Sequence, residues 1–310
     1  MPALPFNTLT TVAGRLPVRR LKVQIKMLAA GCLADNAGAL FHGSLGWAMA
    51  DVDTALWQLC YGPLAQQDSR AFSILPPPTP CQWQAGDRIW FEFVGLAEVA
   101  LLLKALIATF VRMGERGFGE QPLRFELQQV SQLTPYGQCL LWQQGLPLTM
   151  SHYNCQLLPA ALLQALAFAE TIPADRLLLR VECQSRLLLK AQRQVLRTAP
   201  SALQLARAVL RRLFSLQLTS AAEQQQIYSL LEPLSAIELM ADHTRRDDLN
   251  RYSRQQQQRH VIEGITGHWY YSGAAIKQLL PWLVLAHWLQ LGGKTSFGFG
   301  AIDWQLVVAA

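Results

Sequence analysis

Two helix-like runs that each pass through a glycine-rich loop into an alternating strand predict an α+β chain. With the order of strand and helix periodicities around them, they predict two tandem βαββαβ units, ferredoxin-like and RRM-like in plan. The clearer stretch is Leu291 to Trp304 (LGGKTSFGFGAIDW); the weaker is Met113 to Leu127 (MGERGFGEQPLRFEL). A chain of 310 residues can fill two cores. The expected domains are 1–132, and 133–310 with a helical insertion and the C-terminal glycine-rich loop.

Val23, Ile25 and Met27 alternate with Lys22, Gln24 and Lys26, which predicts a half-buried strand over 21–29. A helix follows from about Gly43 to Leu59. Pro76, Pro77, Pro78 and Pro80 hold the chain extended or turning across 73–86, so one strand of the set is hard to place. Asp87 to Phe93 alternates as a strand, Leu96 to Met113 reads as a buried helix, and Pro122 to Val130 as a further strand.

In the second half, 134–147 is expected to form a hairpin, 157–170 a helix and 177–189 a strand. Ala202 to Leu216 is an amphipathic helix with Ser201 as N-cap. Residues 223–240 read as more helix, broken near Pro233. A strand or hairpin over 259–271, a helix over 274–291 and a strand over 301–308 complete the unit.

Hydrophobic residues make up 51% of the chain and charged residues 15%, which is globular rather than disordered. The net charge of +6 favours a polyanionic partner. The six cysteines never fall in a Cys-x-x-Cys spacing, which argues against a zinc site built on paired cysteines. No metal and no cofactor is expected. The first residues lack a charged start followed by an apolar run, and Lys104, Arg112 or Lys277 interrupts the longest apolar stretches. A cytoplasmic protein without a membrane partner is the expectation.

Gly292, Gly293, Gly298 and Gly300 permit positive φ, and a loop of exposed amides around Lys294 suits a phosphate. The competing reading is a solvated lysine on a tight helix-to-strand turn; core packing is expected for at least one of Phe297 and Phe299. Arg245, Arg246, Arg251, Arg254 and Arg259 crowd a polar stretch that holds Gln255 to Gln258 and suits contacts to an RNA backbone. A solvated hairpin partly neutralised by Asp247 and Asp248 is the alternative. Arg207 and Arg211 share one helix face with Arg212 adjacent, so two cations there can reach one phosphate strand.

The two halves and the ending GGKTSFGFGAIDW resemble the RAMP superfamily of CRISPR-associated proteins. FHGSLGWAMADV, the segment from PPPTPCQWQAGDRIW to PLRFELQQV, and DLNRYSRQQQQRHVIEGITGHWYYSG resemble its repeat-cleaving branch; together they cover about a third of the chain. The resemblance implies an endoribonuclease that needs no metal and processes CRISPR precursor RNA within the repeat. The ribose 2′-hydroxyl attacks the neighbouring phosphate and leaves 2′,3′-cyclic phosphate and 5′-hydroxyl ends. It implies as partners the repeat RNA, read as a stem-loop, and other CRISPR effector subunits. A non-catalytic subunit that grips guide RNA stays open.

The family keeps its catalytic histidine in or beside the first helix, which points to His42, the one histidine in that half. Placed before Gly43 at a helix start, it would have its pKa lowered by the helix dipole, though a packing or capping role competes. No lysine follows within the helix, so Lys22, Lys26 or Lys294 would steady the phosphate, with Ser44 and Tyr252 as further helpers. Lys294, Arg251, Arg254, Arg259, Arg207 and Arg211 are the RNA-binding candidates. His287 reads as structural, His260 and His268 as surface contacts and His243 as solvated; His152 has no place in this scheme.

Overall fold

The structure, a computed structural model, describes residues 7–33, 37–63, 70–79, 81–119, 122–148, 156–171, 177–216, 219–253 and 258–308. The first half runs α1 (Asn7–Arg15), β1 (Val18–Met27), β2 (Gly31–Leu33), α2 (Ala37–Val52), α3 (Thr54–Tyr61), β3 (Phe72–Leu75), β4 (Cys81–Trp83) and β5 (Arg88–Leu96). It continues through α4 (Glu98–Leu101), α5 (Leu103–Arg116), β6 (Phe125–Thr134) and β7 (Gly137–Gln143). The main sheet has the order β3-β5-β1-β6-β7 with antiparallel neighbours throughout. Val23 and Ile25 of β1 enter a core with Phe41 and Leu45 of α2 and with Leu106, Phe110 and Met113 of α5. Period-2 alternation therefore turns Lys22 and Lys26 to the opposite face, where Lys22 lies over the Trp90 ring at 4.6 Å and Lys26 pairs with Glu126 at 3.8 Å.

The second half comprises α6 (Leu158–Glu170), β8 (Leu177–Cys183), β9 (Lys190–Ala191), β10 (Gln194–Val195), α7 (Ala202–Ser215), α8 (Ala221–Ser229) and β11 (Glu238–Arg246). The hairpin β12 (Leu249–Ser253) and β13 (Gln258–Ile262) follows, then β14 (Ile265–Ser272), α9 (Ile276–Leu289) and β15 (Ile302–Val308). Its sheet has the order β11-β14-β8-β15, again antiparallel. Numbered within each unit, the four shared strands lie 2-3-1-4 in both sheets. The βαββαβ plan is therefore repeated, with β12 and β13 inserted between the second and third strands of the second copy.

Several expectations shift. The strand that was hard to place is β3, four residues just before the prolines, paired to β5. The helix read over 223–240 ends at Ser229; a 3-10 turn over 232–236 leads into strand β11. The boundary expected between 132 and 133 falls inside β6, whose hairpin partner β7 extends the first sheet to Gln143. Hydrogen bonding across that hairpin keeps 133–143 with the first sheet. Helix α1, near the start of the chain, seals the second half: Leu9, Val12, Ala13 and Leu16 lie in one core with Leu158, Leu162, Leu205, Val209 and Trp282.

Candidate functional site

Helix α2 begins at Ala37, so His42 lies in its second turn rather than at its start. The apolar run Ala37, Gly38 and Phe41 is buried and continues the helical face toward the N-terminus, which a reading that starts at Gly43 overlooks. A dipole effect confined to the first turn does not reach His42. The ring is positioned by the other half of the molecule instead. Its Nδ1 lies 3.2 Å from the Ser296 carbonyl oxygen, and its face stacks on Phe297 with centroids 3.9 Å apart. A carbonyl oxygen accepts, so Nδ1 donates; in the neutral ring Nε2 then holds the lone pair.

A second set of contacts comes from α3 and β3. The Tyr61 hydroxyl donates to the His42 carbonyl at 2.7 Å, with the two rings 4.9 Å apart, and Phe72 lies parallel to the imidazole at 6.1 Å. Burial pushes the Tyr61 phenol well above its ordinary pKa, so it stays a donor. The Arg70 guanidinium sits over the Tyr61 ring at 5.1 Å and donates to the Cys60 carbonyl. Sequence reasoning missed Tyr61 and Arg70, because α3 reads as plain apolar helix and the contact is purely three-dimensional.

The glycine-rich loop works differently from the expectation. Many of its amides are consumed internally: Gly293 donates to Leu188 O (2.9 Å), Phe297 to Lys294 O (2.8 Å), Gly298 to Thr295 O (3.1 Å) and Gly300 to Arg186 O (2.7 Å). The glycines serve close approach. A Cβ on Gly38 would lie 1.8 Å from Phe297 O, and one on Gly300 1.9 Å from Leu291 O. Lys294 itself adopts the left-handed conformation, φ 62 and ψ 27. Phe299 is buried with Leu188, Leu249 and Ile262, while Phe297 carries the imidazole.

Beside Phe297 a cleft of about 670 Å³ runs between the halves, with Gly38 and Pro76 to Pro78 on one wall and Arg186, Arg245 and Arg246 on the other. Arg186 pairs with Asp247 at 3.0 Å, Arg246 with Asp248 at 2.6 Å and Glu263 at 3.2 Å, and Arg245 donates to the Thr266 hydroxyl at 3.5 Å.

Among the remaining candidates, Arg207 and Arg211 are exposed on α7 and border an open groove with Arg193 and Arg197. Arg212 instead is buried, and Lys294 faces it with Lys190 and Arg211 across a smaller pocket. Arg251 lies in β12 opposite His260, and Arg259 in β13 opposite Tyr252. Arg254 and His152 lie outside the described residues. Lys22 and Lys26 are on the sheet face turned away from α2, so they are removed from the phosphate role beside His42. Ser44 donates to the Gly117 carbonyl at 3.4 Å.

The other described histidines have defined partners. His243 and His268 pair directly across β11 and β14 with rings 4.8 Å apart. His287 accepts at Nε2 from Arg20 (2.7 Å) and donates from Nδ1 to Ile302 O (3.2 Å), while Arg20 also holds Glu92 at 2.6 Å. Burial first, then the Arg20 charge, push the His287 pKa down to about 4. This neutral imidazole joins β1 and β5 of the first half to α9 and β15 of the second.

Residues 181–302 match the family model described as CRISPR-associated endoribonuclease Cas6, and residues 61–154 match a model described as an N-terminal domain. No curated protein matches the chain in sequence. Among solved structures, a partial Cas6-RT-Cas1–Cas2 complex is similar with TM-score 0.63 at 16% identity, over 94% of this chain and 46% of that one. A Cas6 product complex gives TM-score 0.57 at 14% identity, over 93% of this chain and 100% of that one. Thermus thermophilus Cas6 gives 0.55 at 14%, over 94% of this chain and 99% of the other. The chain thus spans less than half of the matched chain in the first complex. Residues 181–302 thus carry the Cas6 sequence pattern, and nearly the whole chain has the fold of the solved Cas6 structures.

Proposed function

We propose that this protein is an endoribonuclease that cuts CRISPR precursor RNA within the repeat, using the ribose 2′-hydroxyl as nucleophile and no metal. The observation that carries the reading is the His42 ring, set by the Ser296 carbonyl and Phe297 with Nε2 as its acceptor, beside a cleft with arginines on one wall. Nε2 takes the proton of the 2′-hydroxyl, O2′ bonds to phosphorus, and the P–O5′ bond breaks. The departing 5′-oxygen takes a proton from the imidazolium or from water, which leaves 2′,3′-cyclic phosphate and 5′-hydroxyl ends. A positioned general base or acid contributes about 10²–10⁴-fold. Phosphates of the strand are met by Arg207, Arg211, Lys294 and the arginines of the β12–β13 hairpin. The repeat RNA is the partner, and association with other CRISPR proteins belongs to the same reading.

The test is cleavage of repeat RNA in EDTA, beside a copy carrying one 2′-deoxy residue at the cut site. The expected outcome is cutting of the first RNA and survival of the second. His42→Ala should slow cutting by roughly 10²–10⁴-fold with RNA affinity nearly unchanged. Full activity in that variant would falsify the assignment of His42. Tight binding without cutting by the unaltered protein would favour a subunit that only grips guide RNA.

A further inference from the structure

Arg212 is the least expected charge in the molecule. It lies on α7, 3% exposed, and no described residue accepts a hydrogen bond from its Nε, Nη1 or Nη2. Leaving a buried guanidinium without an anion is unfavourable, because desolvation is not offset by any partner. Burial lowers its pKa to about 10, which still leaves it charged at neutral pH.

Its surroundings deepen the conflict. Arg212 lies at a pocket of about 250 Å³ bordered also by Lys190, Arg211, Lys294, Gly292 and Gly293, with no acidic residue among the described lining. The Arg211 guanidinium donates to the Lys190 carbonyl at 3.2 Å, which holds the rim together. Four cations from β9, α7 and the loop thus line one pocket. Three of them border an opening, and the fourth lies beneath, where water screens it poorly. Such a site stabilises a compact anion more than scattered surface lysines do.

We infer that Lys190, Arg211, Arg212 and Lys294 form a phosphate-binding subsite, distinct from the His42 site, that takes a backbone phosphate of the bound RNA. The phosphate chemistry stands on the pocket alone; its source in RNA rests on the function proposed above. Lys190, Arg211 and Lys294 meet the oxygens at the mouth, and Arg212 adds an unscreened charge from below. The site anchors the strand by charge and carries no base recognition.

The test uses the full chain, inorganic phosphate, and a repeat RNA made uncleavable by a 2′-deoxy residue. Phosphate should raise the melting temperature of the unaltered protein, and the RNA should weaken the apparent phosphate affinity by competition. Arg212→Met keeps the side-chain length and removes the buried charge. It should melt higher than the parent without phosphate, by roughly 2–4 °C, and lose most of the phosphate response. Lys190→Gln, on the exposed rim, should weaken phosphate and RNA binding while leaving the melting temperature unchanged.

No phosphate response in the parent overturns the subsite, as does Arg212→Met melting lower with its response intact. A phosphate response that RNA does not compete with, together with unchanged RNA affinity in Lys190→Gln, overturns the RNA source and assigns the pocket to a free phosphate compound. A phosphate response in a protein that never cuts repeat RNA leaves the subsite standing and removes the nuclease reading instead.

Discussion

Gly38 and Gly43 lie five residues apart on α2 and have opposite obligations. A methyl at 38 would strike the Phe297 carbonyl, a backbone atom that cannot rotate away, whereas one at 43 meets nothing within 4 Å. Gly38→Ala should therefore cost about 1–3 kcal/mol by overpacking, and should slow RNA cutting because Phe297 carries the His42 ring. Gly43→Ala should stabilise by roughly 0.5–1 kcal/mol, as expected for a helix-interior glycine. Urea unfolding of the pair checks both signs; equal effects would mean that helix and loop are not in contact. The sequence offers His42 as a candidate through its family resemblance and its isolation in the first half. Its anchor at Ser296 was not, since 254 residues separate the two partners and only the fold brings them together. Arg212 misled for a related reason: it reads as one more basic residue beside Arg211, and its burial follows from the phase of α7 against α9.

Helix α7 shows how well local signals transmit. Ser201 accepts from the Gln204 amide and the Gln204 side chain returns the bond, so both ends of a capping box are made. Leu205, Val209 and Leu213 then continue one buried stripe. Ser201→Ala should cost about 1 kcal/mol of unfolding free energy. Because α7 carries Arg207, Arg211 and Arg212, fraying of its first turn should weaken RNA binding only slightly, those residues lying one and a half turns or more further on; an equilibrium unfolding curve identical to the parent's would discount the cap. Strand β11 is the contrary case. As an edge strand it buries almost nothing, and its nine residues show neither period clearly. Strand β3 is hidden by its length of four and the prolines beyond it. Strands legible in the sequence, such as β1, are those with one face in a core.

At the level of the molecule, the duplicated βαββαβ order was legible because each half ends in the same helix, glycine loop and strand. The boundary was not, because residues 133–143 carry no signal telling which sheet they extend. The halves are joined through Arg20, Glu92 and His287, and this junction makes a pH prediction. His287 must be neutral in the folded protein: its pKa is pushed to about 4 there, below the ordinary 6.5 of an exposed imidazole. Its contribution to stability is complete above about pH 6.5 and is lost as pH falls toward 4. Asp303, 3.6 Å away, acts in the opposite sense. Stability of the parent should thus drop more between pH 7 and pH 4.5 than that of His287→Gln, measured by urea denaturation. Parallel losses in the two proteins would remove His287 from the account.

Helix α1 occupies residues 7–15, yet the helices it packs against, α6 and α8, begin only at 158 and 221. A ribosome adding roughly 5–20 residues per second leaves that helix without its bed for about 10–30 s after it emerges. Throughout that interval Leu9, Val12 and Leu16 face water or whatever chaperone holds them. The core of the first half, drawn from residues 21–141, can close while α1 waits, and late synthesis of the distal half is what finally closes over the beginning.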